Sequence, residues 1–253
     1  MSVVNLERAA ATAAWVSAAL RGSCGVEHVI DVIGGVVGDG PPPAFLPHDQ
    51  PDPLSLAFAI ARWRGSGVVG WRYLPVAPGD AAGLPGPSAF STTALERGVG
   101  LLASAGERLG LVPETHDDQV VWREHEVPAY RSHDVFGSAS EAERELLERL
   151  NSSVDLLECL ELGHWHPESG DLRNAWTDPS PMPPGTGHRA ERLALRSRRV
   201  LQLVELAVAD DGGSRTSAEM TARKSSLTEL ARAARHAHAA AWNTALLKAG
   251  DRR

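Results

Sequence analysis

Asp80 is the residue best placed for chemistry. It stands in a loop between a strand-like run, Val68–Val76, and a helical turn that begins near Ser91. An aspartate there can bind a cation or take up a proton. Ser91, Thr92 and Thr93 fall at the helix start, where backbone N–H groups are unbonded and can hold an anion. Pro75, Pro78, Pro85 and Pro87 fix φ, while Gly79, Gly83 and Gly86 permit tight turns, so the loop 78–93 is stiff and loses little entropy on ordering. Asp80, Ser91 and Thr92 are therefore the candidate ligand-binding residues. The competing role is structural, since aspartate and serine are common turn and cap residues. Leu84 and Phe90 on the same loop would suit a protein-binding edge.

Elsewhere the chemistry-bearing types are scattered. His164-Trp165-His166 follows Glu158 and Glu161, and His116-Asp117-Asp118 and His133-Asp134 are isolated groups; none has the spacing that completes a zinc site. Cys24 and Cys159 form neither a CxxC motif nor a disulfide framework. Gly65-Ser66-Gly67-Val68-Val69-Gly70 matches G-x-G-x-x-G in letters. A helix precedes it and a strand follows, the reverse of what a dinucleotide needs, so these glycines read as a helix-to-strand turn. The sequence has no Walker A, nucleophile-elbow or HExxH motif. No metal, cofactor or catalytic residue is expected, and the balance leans against an enzyme.

Arg189, Arg192, Arg196 and Arg199 recur at intervals of 3, 4 and 3 residues, which places them in one stripe of a helix. They are the candidate partner-binding surface. Residues 188–253 hold 13 Arg and Lys against 7 Asp and Glu, whereas residues 1–187 hold 12 against 25. An acidic body and a basic last quarter suggest either that one packs on the other or that the basic part meets a partner. Only Lys224 and Lys248 are lysine, so the arginine abundance reflects high-GC coding more than function. Without a helix-turn-helix signature or interleaved aromatics, the stripe argues against nucleic acid; ion pairs with the acidic 141–148 helix are its simpler use.

These residues must be positioned by a soluble-type chain of 253 residues, 43% hydrophobic and 23% charged, with net charge −7. No apolar run approaches the roughly 20 residues of a membrane span. No secretory leader is visible at the start, so a cytoplasmic location is expected. Leu6, Ala9, Ala10, Ala13, Val16 and Leu20 mark a helix over 4–21. The β-branched run Val26–Val37 predicts a strand that breaks at Gly34-Gly35. Residues 39–53 read as a Pro/Gly loop, after which Asp52 caps and Pro53 opens a helix to about Arg64. Ser91 or Thr92 caps a short helix ending near Gly98, and strands follow over Val99–Ala103 and Gln119–Val127. Ser140-Glu-Ala-Glu143 is a capping box for a helix whose stripe is Leu146, Leu150, Val154 and Leu157, with Gly163 as its stop. Residues 167–187 form a linker, and helices over about 188–209 and 216–248 make an αα-hairpin. On the last helix, His236 and the pair His238 and Trp242 lie among alanines that would allow a close dimer seam.

The segment Val68–Leu95, with Leu-Pro-Val-Ala-Pro-Gly-Asp (74–80), Gly-Leu-Pro-Gly-Pro (83–87) and Phe90…Ala94-Leu95, resembles a group of uncharacterised actinobacterial conserved proteins of similar length. Gly110-Leu111-Val112-Pro113 and the Val121-Trp122-Arg123 strand fit the same pattern. The resemblance implies origin and cytoplasmic location, and it carries no functional residue.

Together these readings give an α+β fold: a small mixed sheet with flanking helices in the first half, and a helical second half ending in a long αα-hairpin. Residues 1–137 form the α+β body and residues 138–253 the helical region, packed on it as one unit. The expected function is a non-enzymatic interaction or scaffold protein that binds a protein partner or itself through the C-terminal helices or the 78–93 loop. The alternative is a small-molecule or hydrolytic site in that loop.

Overall fold

The computed structural model describes residues 2–37, 41–116, 119–130, 135–159, 180–209 and 216–247. They hold seven helices and one five-stranded mixed sheet, an α+β fold with the strands in the first half and helices filling the second. The helices are α1 (Val3–Leu20), α2 (Val26–Val37), α3 (Leu56–Gly65), α4 (Ala89–Arg97), α5 (Ala139–Cys159), α6 (His188–Ala209) and α7 (Ser217–Leu247). The strands are β1 (Ala44–Leu46), β2 (Trp71–Pro75), β3 (Val99–Ala103), β4 (Leu109–His116) and β5 (Gln119–Glu126). Their order is β1-β5-β4-β3-β2, with β1 parallel to β5 and every other pair antiparallel.

Tyr73, Leu101, Leu111 and Glu124 are cross-strand partners, so they share one face of the sheet. α1, α3 and α7 cover that face. Trp63 of α3 meets Trp71 and Phe45 edge-on, and Ser17 of α1 accepts the Trp71 N–H at 2.7 Å. α1 and α7 are rich in buried alanine, which brings helix backbones close to the sheet and to each other. α4 crosses the other face. There Gly100 and Gly110 leave room for Phe90, whose ring would lie 2.3 Å from a Cβ built at Gly110.

Several expectations change. Val26–Val37 is a helix, because its buried residues Val29 and Ile33 sit four apart and the helical period outweighs β-branching. Gly34 and Gly35 ride inside it near its end, costing propensity without breaking it. The 39–53 loop contains β1. Leu54 exchanges two hydrogen bonds with Phe45, at 2.7 and 2.9 Å, which ties Leu54 to β1 and moves the α3 cap from Asp52 to Ser55. β4 adds a strand to the expected set; its Pro113 lies beyond the last residue that pairs with β3, Leu111, and opposite Trp122 of β5. Ser88, not Ser91 or Thr92, caps α4, and Gly98 closes it with φ +75°. The capping box of α5 is Ser138 with Glu141 rather than Ser140 with Glu143: each donates or accepts across the pair at 2.7–3.2 Å. The 4–21 helix, β3, β5, α6 and α7 fall where the sequence put them to within about two residues. The link between α6 and α7, Glu161, Gly163, His133-Asp134, Asp117-Asp118, most of the 167–187 linker and the 164–166 histidines lie outside the described residues.

Candidate functional site

Pro78 and Gly79 occupy the centre of a tight turn in which Ala77 and Asp80 exchange backbone hydrogen bonds at 2.8 and 3.0 Å; Gly79 has φ +80°. The turn aims Asp80 at α7. Its carboxylate is almost fully buried and accepts from Arg235 Nη2 at 2.8 Å and Nε at 3.2 Å, and from His236 Nε2 at 2.9 Å, with Arg232 Nε at 3.9 Å. Burial opposes its charge, but the His236 and Arg235 hydrogen bonds outweigh burial and hold the carboxyl below its ordinary pKa. Phe136 meets the His236 ring edge-on at 5.4 Å and closes the other side.

A second polar group lies along the same helix. His238, with no exposed surface, has Tyr73 Oη 3.2 Å from Nδ1 and Glu7 Oε2 3.1 Å from Nε2; Trp242 Nε1 lies 3.1 Å from the same nitrogen. Asn243 straps α7 to β2 by accepting the Tyr73 N–H and donating to the Tyr73 C=O, both at 2.9 Å. Burial works against the Glu7 charge, yet His238, Arg198 and the Ser180 N–H keep its pKa below the ordinary value. Trp242 Nε1–H donates to Nε2, and the roles of His238 toward Glu7 and Tyr73 follow from its tautomer. Burial, and then the Glu7 charge, push the Tyr73 phenol well above its usual pKa. This carboxylate–imidazole–phenol line resembles a proton relay, but its three members are buried, so it clamps α1, β2 and α7 together.

The sequence-derived candidates part company here. Asp80 bonds to α7, whereas Ser91 is buried in the first turn of α4 and accepts from the Ser88 hydroxyl at 3.0 Å; Thr92 is exposed. Phe90 is fully buried under the sheet, so the loop presents no Phe90 edge. All four arginines of the stripe are exposed, and Arg189 and Arg196 both bind Glu143 of α5, at 3.2 and 2.9 Å. The alanine face around His238 is covered within the chain by β2 and α1, so it is no dimer seam. Glu7, Tyr73 and Arg235 were missed, because no local spacing ties α1, β2 and α7.

One further group has metal-capable atoms. His48, Asp49 and Glu124 offer ligand atoms within 4.8 Å of one another. Arg62 already lies 2.9 Å from Asp49 and 3.5 Å from Glu124, and Trp63 Nε1 donates to Glu124 at 2.8 Å. The guanidinium supplies the counter-charge, and a cation would have to displace it.

Residues 9–135 match the Rv1486c-like protein, N-terminal domain, and residues 140–239 match the Rv1486c-like protein, C-terminal domain. The chain belongs to the Rv1486c-like protein family. No curated protein and no solved structure matches it. The family description names no activity, in keeping with the resemblance to an uncharacterised actinobacterial group. Asp80 lies in the first matched segment and its partners Arg235 and His236 in the second, so this buried contact joins the two family segments. Among the described residues no helix is long and apolar enough to cross a membrane.

Proposed function

We propose that this chain is a non-enzymatic interaction or scaffold protein of the cytoplasm that binds a protein partner through the exposed face of α6. The observation that supports this reading is where the ionisable groups go. Asp80, Glu7, His236 and His238 are engaged with one another and with arginine inside the chain, and the outer surface of α6 carries the exposed Arg192, Arg199 and Leu203 at spacings of 7 and 4 residues on one helical face. Such a face suits an acidic partner with an apolar anchor. Residues 1–137 and 138–253 act in this reading as one unit. Reversing Arg192 and Arg199 to Glu is expected to cut the yield of a partner captured from host lysate by about tenfold or more. Unchanged recovery would remove α6 from the account.

A second reading, a small-molecule or hydrolytic site with Asp80, Ser91 and Thr92, draws support from the Asp80–His236 contact at 2.9 Å. An aspartate that orients a histidine is half of a general-base arrangement. It requires Arg235 to leave the carboxylate when the ligand enters. Asp80→Ala would then abolish ligand binding while preserving the fold.

A further inference from the structure

An apolar cleft of about 330 Å³ opens between α2, the Pro42-Pro43 lead into β1, and the start of α3. Ile30, Ile33, Pro43, Leu54 and Leu56 are among the residues that line it. Ile30 keeps 37% of its surface exposed. Burying such side chains against a partner is favourable by about 25 cal/mol for each Å² removed from water.

Three exposed acids, Glu27, Asp31 and Asp52, stand on the segments that line the cleft. Residues 22–61 contain no lysine or arginine, and Arg62, the first cation beyond them, is paired with Asp49. Glu27 lies one turn before Ile30 on the same helix face, and Asp52 immediately precedes the lining residue Pro53. Glu27, Asp31 and Asp52 are exposed, and among the described residues none has an ion-pair partner. Unpaired acids around an apolar slot are complementary to a segment that brings apolar anchors flanked by cations. A second copy of this stretch would bring like charge to like charge.

We propose that this cleft docks a cationic amphipathic helix of a partner protein, its Leu or Phe anchors between Ile30, Ile33 and Leu56 and its Lys or Arg side chains against Glu27 and Asp52. This is helix-in-groove recognition with acidic steering at the rim. It uses the face of α2, β1 and α3 and is independent of the α6 reading.

The chain's three isoleucines make the test direct. Ile30 and Ile33 line the cleft, and Ile60 is fully buried in α3. The full chain, labelled at isoleucine δ1-methyls, is titrated with a two-heptad peptide of Leu, Lys and Ala, and with its counterpart in which every Lys is Glu. The Lys peptide is expected to move the Ile30 and Ile33 signals and leave Ile60 in place. The Glu peptide is expected to move none. Ile30→Glu should weaken the Lys peptide at least tenfold. Glu27→Lys with Asp52→Lys, both at exposed positions that tolerate the change, should weaken it by a similar factor at low salt and flatten its salt dependence. The proposal is overturned if both peptides bind alike, if neither moves Ile30 and Ile33, or if those signals shift with protein concentration alone, which would mean that a second copy covers the cleft. Any of these leaves the Arg192/Arg199 test unaffected.

Discussion

Asp80 carries one negative charge, and two arginines and a histidine of α7 reach for it. The distances decide its role: with Arg235 at 2.8 Å and His236 at 2.9 Å, the carboxylate is satisfied within the chain. Asp80→Ala would leave Arg235 and His236 facing a buried gap, and it is expected to lower the unfolding free energy in urea by about 3 kcal/mol. Tyr73→Phe removes the hydroxyl that hydrogen-bonds His238 Nδ1 in a fully buried setting and should cost about 1–3 kcal/mol. A stability unchanged in both variants would end the clamp account. Asp80 was legible as a singular residue in its Pro/Gly loop. Its partners were not, because Arg235 and His236 lie 155 and 156 positions away and only tertiary packing brings them near.

At the scale of elements, two glycines and one serine illustrate which contacts the sequence could announce. Gly110 sits in β4 because Phe90 of α4 occupies the space of its side chain; Gly110→Ala should cost about 1–3 kcal/mol through overpacking, measured by denaturant midpoint. No periodicity marks that glycine, which explains why β4 escaped notice while β3, with five buried residues in a row, did not. Gly98 was readable as a helix stop because a left-handed cap needs no tertiary partner. Ser138→Ala should remove about 1 kcal/mol by uncapping α5, whereas Ser140→Ala should change little. The sequence offers S-x-x-E at both positions. The structure uses the first, which releases Glu143 to bind Arg189 and Arg196. In α2 the β-branched residues point to a strand, and the i, i+4 spacing of the buried Val29 and Ile33 overrides them.

The whole molecule is a sheet whose face is closed by helices from both ends of the chain, fastened by two buried acid clusters. The α+β class and the helical hairpin were legible because they rest on local period; the fastening was not, because it rests on charge meeting charge across the fold. Both clusters make a pH prediction. Glu7 and Asp80 have folded pKa values below their ordinary ones, so their contribution is complete above the usual carboxylate range and is lost as the pH falls through the depressed values. Stability should therefore drop on acidification below about pH 4–5, and less steeply in Asp80→Ala than in the wild type. The central claim is that these acids hold the chain together and do not serve a substrate. Its most direct test is the thermal midpoint of the wild type and Asp80→Ala, alone and with nucleotides, phosphorylated metabolites, coenzymes and divalent metals. A ligand at 100 times its Kd adds about 2.7 kcal/mol, and each kcal/mol moves the midpoint of a chain this size by about 2–4 °C. The account predicts a midpoint several degrees lower for Asp80→Ala and no ligand response in either protein. A ligand that raises the wild-type midpoint and leaves a stable Asp80→Ala unmoved would contradict it and make Asp80 a binding residue.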